Sequence, residues 1–347
     1  MHRTAAEVLT VATTTAALLA AGAAAPALAD PPAPAAQDLV GVGADTANAL
    51  MNRISTDYNA ALAAAGDTTS PRLYSWDFTG SATITPKTGA ATIARPRGSS
   101  DGILALNLNT RATVDFAPSS RPPRYLQDPP SELFVAFAKD AVTWAAKSGG
   151  HAPANLTTQA LRDIYSCQPW AVDWSAYGGA AGPIRPWLPS PSSGTGAFFL
   201  KAIGLSAPGG CVRYGPVENE GTDPVLDDPD AIVPYSAGHW VGQSRGHGSA
   251  ADAPGALTLR NINGLAPLNG IGAVNASFAA SSYGRVLYNV VREAEWRGSG
   301  PQTTALRAVF GSTGYLCSVR ARVTVVDYGY LSLPSAACGS TVSSETV

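Results

Sequence analysis

Leu39-Val40-Gly41-Val42-Gly43 is an apolar run that ends in glycine, and residues 44–65 follow it with apolar side chains at helical spacing. This pattern predicts a short buried strand, a glycine turn and a helix. Asp45 and Thr46 fall in the turn, at the predicted helix N-terminus, where backbone N–H groups lack partners and the helix dipole is positive. The two residues could bind an anion there, or either could simply cap the helix.

Three further loops combine glycine with hydroxyl side chains. They are Gly98-Ser99-Ser100-Asp101-Gly102, Val114-Asp115-Phe116-Ala117-Pro118-Ser119-Ser120-Arg121, and Pro189-Ser190-Pro191-Ser192-Ser193-Gly194-Thr195-Gly196. The last one opens into an expected helix over residues 197–203. Such residues at helix starts form nests of N–H and O–H donors that can hold a tetrahedral oxyanion. Any one cluster is typical of an ordinary loop, but four in one chain favour an oxyanion site.

The order of these loops resembles that of the type 2 periplasmic binding proteins, and within them the PstS-like phosphate-binding proteins of ABC transporters. The similar segments are the family's three opening loops, its Ser-Gly-Thr phosphate loop, a helix followed by tryptophan, and a later helix-and-strand segment. In this chain they are residues 41–46, 98–103, 114–120, Ser193-Gly194-Thr195, residues 156–165 with Trp170 or Trp174, and Asn219-Glu220-Gly221 with residues 231–235.

The resemblance implies an α/β fold of two lobes, each with a mixed sheet, and a ligand in the cleft between them. It places lobe 1 in residues 39–130 and 283–347 and lobe 2 in residues 131–282, with crossing strands at 133–145 and 285–291. It also implies a monomeric solute-binding protein, not an enzyme, that binds phosphate or a related tetrahedral oxyanion for uptake or scavenging. An ABC permease is the partner that this function suggests.

The ligand-binding residues that the resemblance implies come from the four loops. They are Asp45, Thr46, Ser99, Ser100, Ser119, Ser120, Arg121, Ser193, Gly194 and Thr195. Two family positions differ: the carboxylate that accepts the phosphate proton aligns with Ser120, and an arginine aligns with Pro189. Because a serine can donate as well as accept, we expect weaker discrimination of phosphate from sulfate, unless Asp45 or Asp101 accepts the proton. Arg121 either restores the positive charge or is a solvated loop residue.

The chain has 347 residues, of which 14% are charged, and a formal charge of −2. This near balance argues against nucleic acid or an anionic membrane as partner, so an anion must be held by a local site. The apolar residues 8–25 and Ala27-Leu28-Ala29 predict a signal peptide over residues 1–29, followed by a linker at 30–38. A membrane anchor is the alternative. No cysteine stands directly after the apolar stretch, where a lipid would be attached, so we expect a secreted protein without a lipid anchor.

Four cysteines, Cys167, Cys211, Cys317 and Cys338, fit the oxidising compartment that secretion implies. Four cysteines allow three pairings, among which a sequence cannot choose. We expect Cys167–Cys211 and Cys317–Cys338, because each bond then closes a loop within one segment. A zinc site is the alternative, although no C-x-x-C pair is present, and the histidines show no metal-binding spacing.

Two other classes of function remain open at this point. Gly242-Gln243-Ser244-Arg245-Gly246 matches the G-x-S-x-G motif of serine hydrolases, with His247 and Asp252 nearby. A nucleophile elbow needs a strand before the serine and a helix after it, whereas a polar glycine loop follows Ser244. The second alternative is a secreted adhesion module that uses exposed tryptophans. Its candidates are Trp170, Trp174, Trp187, Trp240 and Trp296.

Overall fold

The computed structural model describes residues 30–343. The predicted signal peptide at residues 1–29 lies outside the described residues, and so do residues 344–347 of the predicted lobe 1. The strands are β1 (Leu39–Gly41), β2 (Leu73–Ser75), β3 (Thr83–Ile84), β4 (Ile93–Ala94), β5 (Phe116–Ser119), β6 (Glu132–Lys147), β7 (Asn155–Leu156), β8 (Arg185–Leu188), β9 (Arg213–Tyr214), β10 (Ala231–Ser236), β11 (Leu257–Ile262), β12 (Gly284–Arg292), β13 (Leu331–Ser332) and β14 (Thr341–Val342). The helices are α1 (Asn48–Ala64), α2 (Ser99–Leu108), α3 (Thr158–Tyr165), α4 (Gly194–Ala202), α5 (Ala237–Ser244), α6 (Ala276–Ala279), α7 (Glu293–Arg297), α8 (Pro301–Phe310) and α9 (Val319–Asp327).

The long strand β6 runs through both halves of the molecule. Residues 132–141 pair antiparallel with β12, and residues 142–147 pair antiparallel with β10 and β11. Nearly all of its side chains are buried, which explains why its sequence is a continuous apolar run rather than an alternating one. The sheet order is β2-β1-β5-β12-β6-β10-β8-β9. The α/β fold is confirmed, and β6 joins the two expected sheets into one mixed sheet.

We call lobe 1 the part built on β1, β2, β5 and β12, and lobe 2 the part built on β8, β9, β10 and β11. In lobe 1 the strand β1 is parallel to β2 and β5, and α1 packs on this sheet through side chains one turn apart. These are Leu50, Ile54 and Tyr58, which belong to the buried core with residues of α8 and α9. Lobe 2 has its own core, in which Trp144 of β6 stacks on Trp174.

Three local expectations need correction. Helix α1 begins at Asn48 rather than in the preceding turn, and its N-cap Ala47 makes no side-chain cap, so neither Asp45 nor Thr46 caps the helix. Helix α4 begins at Gly194, three residues before the expected start, because the Ser193 hydroxyl accepts a hydrogen bond from the Gly196 N–H at 2.9 Å. Residues 219–221 form a turn and not a helix.

Both expected disulfides are confirmed, Cys167–Cys211 and Cys317–Cys338. The first lies in lobe 2 and ties the end of α3 to the segment before β9. The second lies in lobe 1 and ties the segment before α9 to the segment before β14. Each bond restrains a loop within one lobe, so neither crosses the cleft. Within residues 30–343, no helix combines the length and the apolar character that crossing a membrane requires.

Candidate functional site

The predicted loops meet between the lobes. Thr46 follows β1, Ser99 opens α2, Ser120 follows β5, and Ser193 and Thr195 lie at the start of α4. All five side chains are at most 2% exposed. The first three come from lobe 1 and the last two from lobe 2, so hydroxyl groups of both lobes are enclosed at one place.

Two serines of lobe 1 and a glycine of lobe 2 form one side of this site. The Ser120 N–H donates to Ser99 Oγ at 3.0 Å, and the two serine hydroxyls lie 3.2 Å apart. A Cβ atom built on Gly194 would lie 2.3 Å from each of these oxygens. The close approach of the lobes here therefore requires the absence of a side chain at residue 194.

Thr46 connects lobe 1 to several other elements. Its Oγ1 lies 3.2 Å from Asn219 Nδ2 and 3.5 Å from Arg285 Nη2, both of which are donors. Its backbone carbonyl accepts hydrogen bonds from the His239 Nδ1–H, at 3.1 Å, and from the Tyr330 hydroxyl. Both the side chain and the backbone of Thr46 are therefore held in place.

The acceptor at the centre of the site is the carboxylate of Glu218, in the loop after β9. Its Oε1 accepts from Thr46 Oγ1 at 2.7 Å, from Thr195 Oγ1 at 2.5 Å and from the Thr195 N–H at 3.3 Å. The two threonine oxygens also lie 3.1 Å apart, but each hydroxyl has a single proton, which it donates to Glu218. We call Thr46 Oγ1, Thr195 Oγ1 and the Thr195 N–H the threonine nest. It holds an anionic oxygen.

A buried ion pair lies beside the threonine nest. Arg285 of β12 is directly opposite Asp140 of β6, and its Nε and Nη2 donate to Asp140 Oδ2 at 2.9 and 2.8 Å. Arg285 Nη1 is buried and has no hydrogen-bond partner among the described residues. Unpaired buried donors are costly and rare, so Nη1 is available to an acceptor, and Nη2 of the same guanidinium lies 3.5 Å from Thr46 Oγ1.

Sequence analysis did not include Glu218, Asn219, Asp140 or Arg285 in the site. A signal was present for the ion pair, because Asp140 and Arg285 are charged residues in apolar stretches that become the buried strands β6 and β12. Buried charges are paired or functional. Asn219 is held in a left-handed conformation with φ +59°. Its side-chain oxygen accepts from the Ser236 N–H at 2.9 Å.

A second positively charged side chain, that of His239, contacts the backbone of Thr46. His239 Nε2 lies 2.7 Å from Asp252 Oδ1 and Nδ1 lies 3.1 Å from the Thr46 carbonyl oxygen. Burial disfavours the charged ring, but the charge and hydrogen bond of Asp252, with smaller contributions from the charge of Asp45 and the hydrogen bond to the Thr46 carbonyl, outweigh it and raise the pKa of His239 to about 10. Both ring nitrogens are therefore protonated at neutral pH, and each donates a hydrogen bond.

Asp45, next to Thr46 in the chain, is a buried carboxyl at the same site. Burial raises the pKa of its carboxyl well above the usual range, although the nearby His239 lowers it, and the charges of Glu218 and Asp252 raise it further. Its Oδ2 lies 3.4 Å from Asn219 Nδ2. Burial therefore favours the neutral form of this carboxyl, and the neutral form does not repel an anion.

The other predicted residues have local partners. Arg121 makes a two-pronged ion pair with Asp128, at 2.6 and 2.9 Å, and its Nε donates to Ser100 Oγ at 3.2 Å. Ser119 Oγ donates to the Arg121 carbonyl at 2.9 Å. Arg121 is thus neutralised by Asp128 inside lobe 1 and is not the solvated loop residue of the alternative. Asp101 Oδ2 accepts from the Arg97 N–H at 3.2 Å, on the exposed side of α2.

A cleft of about 630 Å³ opens on the site. Its lining includes Asp45, Phe78 and Arg97 of lobe 1 and Ser193, Tyr214 and Glu218 of lobe 2. Glu218 therefore stands between the cleft and the threonine nest. Among residues 30–343, no group of three or more His, Cys, Asp or Glu side chains is placed to hold a metal ion.

The two alternative functions fit the structure poorly. Ser244 is the last residue of α5, not part of a turn between strand and helix, and its hydroxyl donates to the Trp240 carbonyl at 2.8 Å. Asp252 is paired with His239 rather than with His247. Trp174 is fully buried and Trp170 is 62% exposed, whereas Trp187, Trp240 and Trp296 are half-buried. These side chains do not form a shared aromatic surface of the kind that an adhesion module would use.

Two lobes joined by crossing strands, with buried donors at the end of a cleft, define a binding protein of the periplasmic type. A family model described as "PBP superfamily domain" matches residues 4–294, and the chain belongs to this family. No curated protein matches the chain.

Two solved structures share the fold. One is a putative phosphate ABC transporter substrate-binding protein with bound phosphate from Clostridium perfringens, with a TM-score of 0.60 and 13% identity, covering 86% of this chain and 100% of that one. The other is an ABC-type phosphate transport receptor from Vibrio cholerae, with a TM-score of 0.57 and 16% identity, again covering 86% and 100%.

Proposed function

We propose that this protein is a substrate-binding protein that holds phosphate or a related tetrahedral oxyanion between its lobes. The observation that carries the proposal is the threonine nest, in which two hydroxyls and one backbone N–H from both lobes converge on a single anionic oxygen, that of Glu218. Donors that converge in this way stabilise an anionic oxygen. The family and the phosphate-binding proteins of similar fold support the same assignment.

In this proposal the anion contacts Thr46, the hydroxyl and N–H of Thr195, and the free Nη1 of Arg285. Arg285 supplies the positive charge that the family's arginine would have supplied at Pro189, and Asp140 holds its guanidinium in place. Ser99, Ser120 and Gly194 form the adjoining wall. Ser193 orients the α4 N-terminus. Arg121, paired with Asp128, contributes through the position of the loop after β5 and not through a free charge.

The setting that we propose is extracellular, with an ABC permease as partner and a monomer as the working form. Two disulfides fit an oxidising compartment. The two proteins of similar fold are described as components of ABC phosphate transporters, which supports a permease as partner.

Isothermal titration of protein stripped of phosphate tests the proposal. Phosphate, sulfate and a phosphomonoester are titrated into the wild type and into Thr195→Val. We expect wild-type binding, and a loss of about tenfold or more in Thr195→Val because a hydrogen bond to a charged group is removed. Thr258→Val, on β11 away from the site, is the matched control and should bind as the wild type does. If the wild type binds none of the three anions at millimolar concentration, the proposal is wrong.

A further inference from the structure

We propose that Glu218 is an internal competitor of the ligand, which occupies the threonine nest and holds the lobes together until an oxyanion displaces it. This inference concerns the regulation of the site and rests in part on the proposed function. Its basis is that one carboxylate oxygen accepts from both threonine hydroxyls and from one backbone N–H.

The contacts of Glu218 cross the cleft. Glu218 and Thr195 belong to lobe 2, whereas Thr46 belongs to lobe 1. Each hydroxyl has one proton, so Thr46 cannot donate to Glu218 and to a bound oxyanion at the same time. Binding of an oxyanion at the threonine nest therefore requires that Glu218 leaves it.

The charges around the nest show why a carboxylate is stable there. Arg285 is balanced by Asp140, and His239 by Asp252. The donors of the threonine nest are then free to bind one further negatively charged group, the carboxylate of Glu218. A phosphate or sulfate ion that replaces it supplies the same kind of acceptor, and the exchange leaves no donor unpaired.

The residue after Glu218 is held by hydrogen bonds, whereas the residue before it is exposed to solvent. The carbonyl of Asn219 accepts from Gln243 Nε2 at 2.7 Å and from the Tyr235 hydroxyl. Val217, on the other side, is 38% exposed, and Glu218 itself borders the cleft. Its side chain can thus rotate into the cleft while the backbone at Asn219 stays in place.

The experiment compares the wild type with Glu218→Gln, Glu218→Ala and the control Glu220→Gln, in which a carboxylate two residues away on the same loop is neutralised. Phosphate and sulfate affinities are measured by titration calorimetry. Small-angle X-ray scattering measures the radius of gyration without either anion and with phosphate. Glu218→Gln keeps the shape of the side chain, so the test stands even if Glu218→Ala folds poorly.

We expect both affinities to rise in Glu218→Gln and further in Glu218→Ala, by about tenfold or more, which corresponds to about 1.4 kcal/mol. The phosphate to sulfate ratio should stay constant, because a competitor opposes both ions equally. Without anion, the two Glu218 variants should have a larger radius of gyration than the wild type, and phosphate should reverse the increase. Glu220→Gln should match the wild type.

A fall in phosphate affinity with a rise in sulfate affinity would show that Glu218 accepts the ligand's proton, and would overturn the inference. Unchanged affinities and an unchanged radius of gyration would overturn it as well. If the wild type and the variants bind no oxyanion, the proposed function fails. Scattering then tests only whether Glu218 holds the lobes together: a larger radius of gyration in the Glu218 variants supports this role, and an equal radius rejects it.

Discussion

Gly194 of lobe 2 lies against Ser120 of lobe 1 so closely that a Cβ atom at residue 194 would be 2.3 Å from Ser120 Oγ. The same atom would be 2.3 Å from Ser99 Oγ. Both serines are fully buried, so they cannot turn towards solvent. The closed arrangement of the two lobes depends on this glycine, although its backbone conformation is an ordinary helical one.

Gly194→Ala should weaken anion binding by about tenfold or more, because overpacking a buried contact costs about 1–3 kcal/mol and the cost falls on the closed form. Titration calorimetry with phosphate measures the effect. Gly196→Ala is the matched control, since the nearest atom to its Cβ would be 3.5 Å away. It should bind within about twofold of the wild type. Equal affinities in both variants would show that binding does not need this approach of the lobes.

Arg285→Lys should reduce anion affinity by about tenfold while the protein remains folded. A lysine can keep the ion pair with Asp140, but it lacks the planar group that places Nη2 3.5 Å from Thr46 Oγ1 and leaves Nη1 free for an acceptor. Arg292→Lys, at the other end of the same strand, is the control: its guanidinium binds the Leu106 and Val114 carbonyls and Glu295, outside the site. Phosphate titration together with thermal unfolding separates binding from stability. Loss of stability without loss of affinity would make Arg285 a structural residue only.

The site residues that were predicted from the sequence lie in local patterns. The residues that were not predicted reach the site through contacts between segments that are distant in the chain. Thr46, Ser99 and Thr195 each lie in a short glycine loop at the start of a helix, and such loops are recognisable because the local sequence determines the turn. Glu218 meets Thr46 across 172 residues and Arg285 meets it across 239. Such contacts depend on the register of β6 and β12 and on the path of the loop after β9, which no local pattern specifies.

Two differences in detail between the expected and the observed elements have the same origin. The expected helix at residues 219–221 is a turn because Asn219 adopts a left-handed conformation fixed by distant partners, Ser236 and Tyr235. The expected sheets of the two lobes form one sheet because β6 is long enough to pair with both sets of strands. The pattern of apolar and polar residues predicted where strands and helices lie. It did not predict which strands pair with the same neighbouring strand.

Glu132→Gln should stabilise the protein, and increasingly so at higher pH. Neither carboxyl oxygen of Glu132 has a hydrogen-bond partner among the described residues, and burial, with a contribution from Asp128, raises its pKa from 4.5 to about 8. Between these values the unfolded chain loses the proton and the folded protein keeps it, so stability is full below pH 4.5 and falls as the pH rises through 8.

Chemical denaturation between pH 5 and pH 9 measures this effect. The variant should gain about 1–3 kcal/mol at pH 8 and little at pH 5. Glu293→Gln, at an exposed ion pair with Arg297, should change the free energy of unfolding by less than about 0.5 kcal/mol at either pH. A gain in Glu132→Gln that does not depend on pH would contradict the assignment of the buried proton.

Selectivity for phosphate over sulfate requires an ionised acceptor for the proton of phosphate. The resemblance aligns the family's proton acceptor with Ser120, whose hydroxyl lies 3.2 Å from that of Ser99, and Asp101 lies on the exposed side of α2. Asp45 is a buried carboxyl next to Thr46, but burial raises its pKa well above the usual range and so disfavours the ionised form that could accept the proton of the ligand. A site without an ionised acceptor for the ligand does not reject sulfate by charge.

We therefore expect the wild type to prefer phosphate over sulfate by less than about 100-fold, or about 2.8 kcal/mol. Asp45→Asn, a neutral side chain of the same shape, should leave both affinities within about threefold, because burial already favours the neutral form of Asp45. Asp101→Asn is the control and should have no effect. Titration of each variant with both anions gives the ratio. A strong preference for phosphate in the wild type that disappears in Asp45→Asn would mean that Asp45 is ionised in the complex and accepts the proton of the ligand.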